Sequence, residues 1–383
     1  MADDRNSVLV VAGESSGEQC MAEVVRHVNE ARPGRYLWVG TGGREMAAAG
    51  VEMLARVEDL SAIGPVAAFT NLSRYLSLFY KILARVKKDP PDLAVLVDFP
   101  DFNLRLAKRL RRLGVPVCYF ISPQLWAWRP SRIRAIQKNV KRMLVILPFE
   151  VEFYRRHGVN ARYVGSPVAN LRNFVAEPRK AEETSTVALL PGSRRREIDL
   201  ILPLQLDIAR RIHKNHPARF FAVSAPDIDV ALIRRVYEKW RRLRGENLEL
   251  SIEQGPIETL LPKADCAMVK SGTTTLQAMV LGVPFVMLYR MSPLSYHLLR
   301  PFVQTKTYCL ANLVAGEELV REYVQGSANP DVVSRYIVGL LQSPQRLSEM
   351  KQKLRIASER LGTKDASTEA ADEIVNLVEN TRT

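Results

Sequence analysis

The 383-residue chain has little cysteine: Cys20, Cys118, Cys266 and Cys309 are scattered along it. No C-x-x-C pair and no histidines at metal-ligand spacing accompany them. That argues against a disulfide framework or a structural zinc, and for reduced, buried thiols in a cytosolic protein. Long apolar runs are also missing. No stretch approaches the roughly 18 uninterrupted apolar residues of a membrane-spanning helix, so any membrane would be met at its surface. The first apolar run, Val8 to Ala12, follows an acidic start. It is shorter than the roughly 7–15 residues of a signal-peptide core and reads as a buried strand. Helix-turn-helix, zinc-finger and RNP-type aromatic patterns are absent, which disfavours nucleic acid as a partner. Gly40-Thr41-Gly42-Gly43 is only half of a dinucleotide fingerprint, and no acidic residue follows a second strand cleanly about 20 positions on, which disfavours a nicotinamide enzyme. Internal repeats of 20–50 residues are absent too.

What the chain does have is positive charge, +14 formally, within an ordinary composition of 47% hydrophobic and 25% charged residues. The length suits about two or three domains. The charge favours an anionic partner, whether a phosphorylated substrate or acidic lipid headgroups. Short β-rich runs at Val8-Ala12, Tyr36-Val39, Leu93-Val97, Val117-Ile121 and Met143-Leu147 alternate with amphipathic helical patterns. This is the βαβ signature of a doubly wound parallel sheet. A polar stretch from Arg172 to Thr184 reads as a linker. A second series follows at Val187-Leu190, Phe220-Val223, Leu248-Ile252, Cys266-Val269 and Phe285-Leu288. The expectation is an α/β protein of two Rossmann-like domains, 1–170 and 184–344, facing a cleft. Helices over 345–383 pack back on the first domain through Leu347, Met350, Leu354, Ala357, Leu361, Ala370, Ile374 and Leu377.

Chemistry-bearing residues gather at the carboxyl ends of the expected strands, where open α/β sheets bind ligands. Gly13-Glu14-Ser15-Ser16 is a small-residue turn opening a helix; it suits an anion, or merely a Ser15 or Ser16 N-cap. Asp98 to Asn103 follows the strand Leu93-Val97. Asp101 is the expected cap of a helix starting near Asn103, which leaves Asp98, ahead of Pro100, as the candidate general base. Ser122, Trp126, Trp128 and Arg129 place two indoles and a guanidinium at another strand end, for a sugar or acyl chain or simply for core packing. Gly192, Ser193 and Arg194 follow Leu189-Leu190, and Lys270-Ser271-Gly272-Thr273-Thr274 leads into a helix at Leu276-Leu281. Two such turns in one domain suit a nucleotide diphosphate without a metal, although a solvated arginine run and an over-capped helix explain each singly. From Ile63 to Lys88, Val66, Phe69, Leu72, Leu76 and Phe79 recur at helical spacing among basic residues, as in a helix lying on anionic lipid or an ordinary core-facing helix.

Taken in order, several of these segments resemble the bacterial lipid-A-disaccharide synthase family, inverting glycosyltransferases of the GT-B type. The resemblance rests on Val11 to Gly17, Asp98 to Asn103, Ser122-Pro123 with Trp126-Ala127-Trp128-Arg129, Leu190 to Arg194, Ser271-Gly272-Thr273, and Asn312-Leu313 with Ala315-Gly316. It implies transfer from UDP-2,3-diacylglucosamine to 2,3-diacylglucosamine 1-phosphate, giving a β-1,6 disaccharide and UDP at the cytoplasmic face of the inner membrane. Asp98 would deprotonate the acceptor 6-hydroxyl, and Arg194, Ser271, Gly272 and Thr273 would stabilise departing UDP. Gly192, Ser193, Lys270, Thr274, Gln277, Asn312, Glu322 and Gln325 would complete the donor side. Gly13, Glu14, Ser15, Ser16, Asn103, Ser122, Trp126, Trp128 and Arg129 would face the acceptor. No cofactor or metal is implied. The implied partners are the two acylated substrates and an anionic lipid surface, with a homodimer as a candidate assembly. Three positions depart from the family pattern: Ser166 stands for histidine in V-G-H-P, Gln277 for a ribose-binding glutamate, and Glu317 for arginine. They keep two alternatives open, another GT-B transferase or a non-catalytic binder of UDP-sugar or lipid.

Overall fold

The computed structural model describes residues 5–56, 67–127, 129–174, 184–225, 228–292, 296, 300–303 and 305–382. Two units divide the chain: residues 1–167 with 363–383, and residues 168–362. The first contains β1 (Asn6–Ala12), α1 (Ser15–Ala31), β2 (Tyr36–Gly42), α2 (Arg44–Ala48), β3 (Glu52–Arg56), α3 (Ala67–Lys88), β4 (Leu93–Val97), α4 (Pro100–Arg112), β5 (Val117–Phe120), α5 (Ile133–Asn139), β6 (Arg142–Val145), α6 (Pro148–Arg156) and β7 (Ala161–Tyr163). The second contains β8 (Ser185–Leu190), α7 (Arg195–Asn215), β9 (Ala218–Ser224), α8 (Val230–Arg244), β10 (Ser251–Gln254), α9 (Ile257–Leu260), β11 (Cys266–Lys270), α10 (Thr274–Val280), β12 (Phe285–Tyr289), α11 (Leu310–Ala315), β13 (Glu322–Val324), α12 (Pro330–Leu341) and α13 (Pro344–Ser358). The last helix, α14 (Ala366–Arg382), belongs to the first unit.

Among the described residues, the first sheet runs β3-β2-β1-β4-β5-β6-β7 and the second β10-β9-β8-β11-β12-β13. All pairings are parallel. Each order reverses direction once, between β1 and β4 and between β8 and β11, and the carboxyl ends of strands at such a reversal are where open α/β sheets bind ligands.

In the first unit, side-chain alternation splits β1 between two cores. Val8, Val10 and Ala12 meet Met21, Val24 and Val25 of α1 and Ala370, Ile374 and Val378 of α14. Leu9 and Val11 meet Ile82, Leu106, Leu110 and Tyr154 on the other face. Strand β4 is wholly buried, as a central strand covered on both faces must be. Polar pins fix α14: Glu373, 4% exposed, pairs with Arg142 at 3.2 Å and with Arg162 at 2.5 Å, and Ser367 donates to Glu23 at 2.7 Å.

Several boundaries differ from the sequence expectation. Only α14 returns to the first unit; α13 stays with the second, which ends at Gly362. Strands β3, β7 and β13 were not expected; they are short sheet edges without an apolar alternation of their own. Leu248 lies outside β10, and its carbonyl accepts the Tyr237 hydroxyl at 2.5 Å. Leu147 is not in β6; it is the N-cap of α6. Cys118, Cys266 and Cys309 are buried and Cys20 is half-buried, all of them free thiols. Burial pushes Cys266 and Cys309 up to about 12, which keeps them protonated and inert.

Candidate functional site

At the edge of the first sheet, the chain leaves β4 through two consecutive left-handed residues, Asp98 (φ 45) and Phe99 (φ 50). Each such non-glycine residue costs of order 1 kcal/mol or more and persists only where its surroundings enforce it. Here they do. Asn103, fully buried, donates through Nδ2 to the carbonyls of Val11, Val97 and Asp98 at 3.3, 3.1 and 2.9 Å. The Tyr119 hydroxyl donates to the same Asp98 carbonyl. Burial first, and the Asp98 carboxylate second, raise the Tyr119 phenol well above its usual range, so it remains a donor. Asn103 therefore stitches β1 to β4 across the point where the sheet reverses. Its Oδ1 is buried with no hydrogen-bond partner among the described residues.

Phe99 is the N-cap of α4, so that helix begins at Pro100 and not near Asn103. Asp101 is not the cap. It lies in the first turn and pairs with Arg132 and, at 3.5 Å, with Arg129. The Phe99 ring stacks on Phe102 with centroids 5.3 Å apart and meets Tyr75 at 5.7 Å. It fills the space beside Gly13, where a Cβ would lie 2.4 Å from the ring. Glu14, rather than Ser15 or Ser16, is the N-cap of α1 and makes no side-chain cap bond. Ser16 is exposed; the Ser15 side chain lies outside the described residues.

Beyond β5, Ile121 (φ 62) and Arg129 (φ 53) are again left-handed, so this edge carries four such residues. Ser122 is buried and donates to Glu150 at 2.6 Å; the half-buried Trp126 donates its indole N–H to the same carboxylate at 3.2 Å. Trp128 lies outside the described residues.

In the second unit, β8 ends in Pro191-Gly192-Ser193-Arg194 with Gly192 at φ 115. Arg194 is exposed and is the N-cap of α7. Across the reversal, Lys270 at the end of β11 donates to Glu197 at 2.7 Å. Glu197 also accepts the Ser193 N–H at 3.2 Å and lies where a Cβ on Gly192 would be. Ser271 donates to the Tyr308 carbonyl at 2.8 Å, and Gly272 (φ 150) leads into α10, which starts at Thr274. Thr273 is exposed, and Thr274 and Gln277 are half-buried. Tyr289 and Tyr308 stack beside this turn with centroids 5.9 Å apart.

Three residues expected to face the donor bind the chain itself. Asn312 bridges α11 and β13, donating to Val320 and Glu322 and accepting from the N–H groups of Leu319 and Val320. Glu322 also accepts from the N–H groups of Tyr308 and Cys309. Gln325, left-handed at φ 52, accepts from Met291 N–H at 3.2 Å and donates to its carbonyl at 3.3 Å. In this structure all three hold backbone around the turn.

The helix expected to face lipid is α3. Val66 and the side chains of Phe69 and Leu72 lie outside the described residues. Phe79 faces inward, packing edge-on against Phe102 at 5.7 Å, because it shares a helix face with the core residues Leu78, Ile82 and Leu83. Leu76 and Tyr80 are exposed, at 47% and 65%. No described helix is long and apolar enough to cross a membrane.

Comparison with known proteins places this geometry. The family model for lipid-A-disaccharide synthetase matches residues 8–377. The chain belongs to that family. It is 36% identical over 387 residues to the lipid-A-disaccharide synthase of Koribacter versatilis (strain Ellin345) and 37% identical over 379 residues to that of Myxococcus xanthus (strain DK1622); each match covers 97% of both chains. Among solved structures it is similar to Anabaena HepE in complex with UDP-glucose (TM-score 0.59, 12% identity, covering 97% of this chain and 99% of that one). It is also similar to CalG4, the calicheamicin glycosyltransferase (TM-score 0.58, 16% identity, 98% of each). At such identities these show the fold, which is GT-B. In this member of the lipid-A-disaccharide synthetase family, Ser166 is buried, behind Gly165 (φ 97), whose Cβ would strike the Lys364 carbonyl at 2.5 Å. Glu317 is exposed.

The sequence reading missed Glu150, Tyr119 and Glu197. Glu150 stands three residues after Leu147 with proline between, a helix-start spacing that was absorbed into an over-long strand. Glu197 directly follows Arg194-Arg195-Arg196, whose positive charge is the stronger sequence signal.

Proposed function

We propose that the protein is a glycosyltransferase that joins UDP-2,3-diacylglucosamine to 2,3-diacylglucosamine 1-phosphate. Family membership over residues 8–377 supports the reaction, and the enforced left-handed backbone at Asp98 is the observation that carries the assignment of its base. The Asp98 carboxylate takes the proton of the acceptor 6-hydroxyl as that oxygen attacks the anomeric carbon of the donor. The bond from that carbon to the diphosphate breaks with its electron pair on UDP, and the configuration inverts. Asn103 and Tyr119 hold the Asp98 backbone, so little reorganisation is left to the reacting state. On the donor side, Arg194, the Ser193 N–H, Lys270 and the Ser271–Thr274 turn offset the charge that gathers on UDP. Lys270 and the Ser193 N–H, both bound to Glu197, reach the diphosphate by leaving or sharing it. Asn312, Glu322 and Gln325 act through the backbone they fasten.

The acylated substrates and the net charge of +14 support work at an anionic membrane surface, with Leu76 and Tyr80 of α3 as the apolar contact. The test is formation of UDP and disaccharide from the two substrates in detergent, by the intact protein and by Asp98→Ala. Product from the former and none from the latter is expected. UDP binding without disaccharide from the intact protein would refute the reading.

A further inference from the structure

Glu150 is 1% exposed and none of the steps above uses it. No lysine, arginine or histidine pairs with it among the described residues. A carboxylate placed so costs several kcal/mol in an apolar setting unless hydrogen bonds replace water. Three do, two from the segment after β5 and one from the start of α6. Ser122 Oγ donates to Oε1 at 2.6 Å, Trp126 Nε1 to Oε1 at 3.2 Å, and the Leu147 N–H to Oε2 at 3.3 Å. Its neighbours on α6 join in. The Phe149 ring meets the Trp126 indole edge-on at 5.2 Å and 84°, and one turn on, the Tyr154 hydroxyl donates to the Pro123 carbonyl at 3.2 Å. The segment Ser122 to Trp126 is thus tied to α6 at its start, its middle and its indole. It follows β5, the strand beside β4 and Asp98.

We propose that Glu150 is a positioning residue for the acceptor, its carboxylate fixing the Trp126 indole and the Ser122–Pro123 turn that shape the acceptor seat beside Asp98. This rests on the transferase reading. The seat takes the apolar body of an acylated glucosamine 1-phosphate against the indole.

Burial raises Glu150 to about 7 in spite of its three donors, so its state changes within the working range of pH. Protonation would weaken one of the oxygens on which the Ser122, Trp126 and Leu147 donors converge. Tyr154 on the same helix is the titratable group facing it, and burial keeps that phenol protonated. Tyr119 of β5 lies behind, with Asp98, Asp101 and Arg132 acting on it. Neither tyrosine titrates near neutrality, which leaves Glu150 as the group in this corner that does.

The experiment compares the intact protein with Glu150→Gln and Glu150→Met for kcat and for the KM of each substrate between about pH 5.5 and 8.5, a range spanning the shifted carboxyl. Glu150→Met is expected to raise acceptor KM about tenfold or more, from loss of the charge-assisted hydrogen bonds that fix Trp126 and Ser122, with donor KM unchanged. Glu150→Gln, which keeps one acceptor oxygen, is expected to recover much of that loss and to flatten the pH dependence of acceptor kcat/KM near 7. Acrylamide quenching of tryptophan should rise in Glu150→Met, and the rise should vanish in a Trp126→Phe background. An active enzyme in which Glu150→Met moves both KM values alike, or in which Glu150→Gln keeps the parental pH profile, overturns the proposal. Absence of disaccharide from the intact protein overturns the transferase reading instead, and unchanged quenching then removes the positioning role as well.

Discussion

Replacing Gly13 by alanine tests how tightly the proposed base is held. Gly13 is outside the left-handed region, so the substitution carries no conformational penalty and its effect is steric alone. The new Cβ would stand 2.4 Å from Cγ and Cδ1 of Phe99 and 2.9 Å from its Cβ. Ordinary contact begins near 3.4 Å, so the ring or the β1–α1 turn must give by about 1 Å. The ring cannot yield cheaply, because Phe102 is stacked on one side at 5.3 Å and Tyr75 meets it at 5.7 Å. Forcing one methyl into such packing costs about 1–3 kcal/mol. Phe99 adjoins Asp98 and shares its left-handed backbone, so the shift passes to the base. A displacement of about 1 Å at a reacting group is worth roughly a hundredfold in rate. Urea unfolding followed by circular dichroism reads the first effect, and the initial rate of disaccharide formation at saturating substrates reads the second. The cycle is closed with Phe99→Ala: in that background Gly13→Ala should cost only a few tenths of a kcal/mol, since the obstructing ring is gone. If Gly13→Ala matches the parent in midpoint and rate, or costs as much with Phe99 removed as with it present, the account of the β4 edge is wrong.

Three further outcomes follow from the same geometry. Asp98→Asn should lower kcat by roughly 10²–10⁴ while UDP affinity, read by calorimetry, stays within about twofold; loss of both would indicate a structural role. Glu150 carries a pH signature in stability: its pKa is about 7 in the folded chain against 4.5 unfolded, so the folded state holds the extra proton. The contribution is full below about pH 4.5 and is lost as pH rises through 7, and the difference between parent and Glu150→Gln in urea midpoint should change over that window and level off above it. Leu76→Asp with Tyr80→Asp should reduce cosedimentation with phosphatidylglycerol vesicles, leaving activity on detergent-dispersed substrates unchanged; undiminished sedimentation would remove α3 as the membrane contact.

The fold was legible because its central strands are short runs of buried branched residues ending in glycine, serine or aspartate, and the helices between them keep a regular apolar stripe. Leu93–Val97 was read to the residue. The edges were not, since β3, β7 and β13 are partnered on one side only and so carry no continuous apolar run. Helix starts also resisted reading. Asp101 has the side chain of a cap, but the stacking of Phe99 and the fixed φ of Pro100 move the helix start forward, and the carboxylate turns to Arg129 and Arg132. Among the expected site residues, sequence identified which strand ends matter but not which atoms remain available there. Asn312 and Glu322 illustrate this: nothing local in Asn312-Leu313 reveals that its amide is spent on Val320, 8 residues on in sequence but adjacent in space. Glu150 escaped for the same reason, its partners lying 28 and 24 residues earlier.

The two sheets meet the same topological demand in opposite ways, and the difference tracks the chemistry assigned to each. At the β8 and β11 ends the tight turns are made by Gly192 and Gly272, which adopt positive φ without a Cβ in the way. A diphosphate is bound by backbone N–H groups and mobile cations, so bare backbone is the useful product of such a turn. At the β4 and β5 ends the left-handed positions are Asp98, Phe99 and Ile121, each holding a conformation that glycine would adopt with less strain. On the proposed reaction the strain is retained because a side chain has to be presented at that point: a carboxylate at Asp98, and at Phe99 a ring that locks it. Asp98→Gly would relax the backbone and remove the proposed base in one step. A protein made more stable by that change and inactive with it would locate the stored strain at the base.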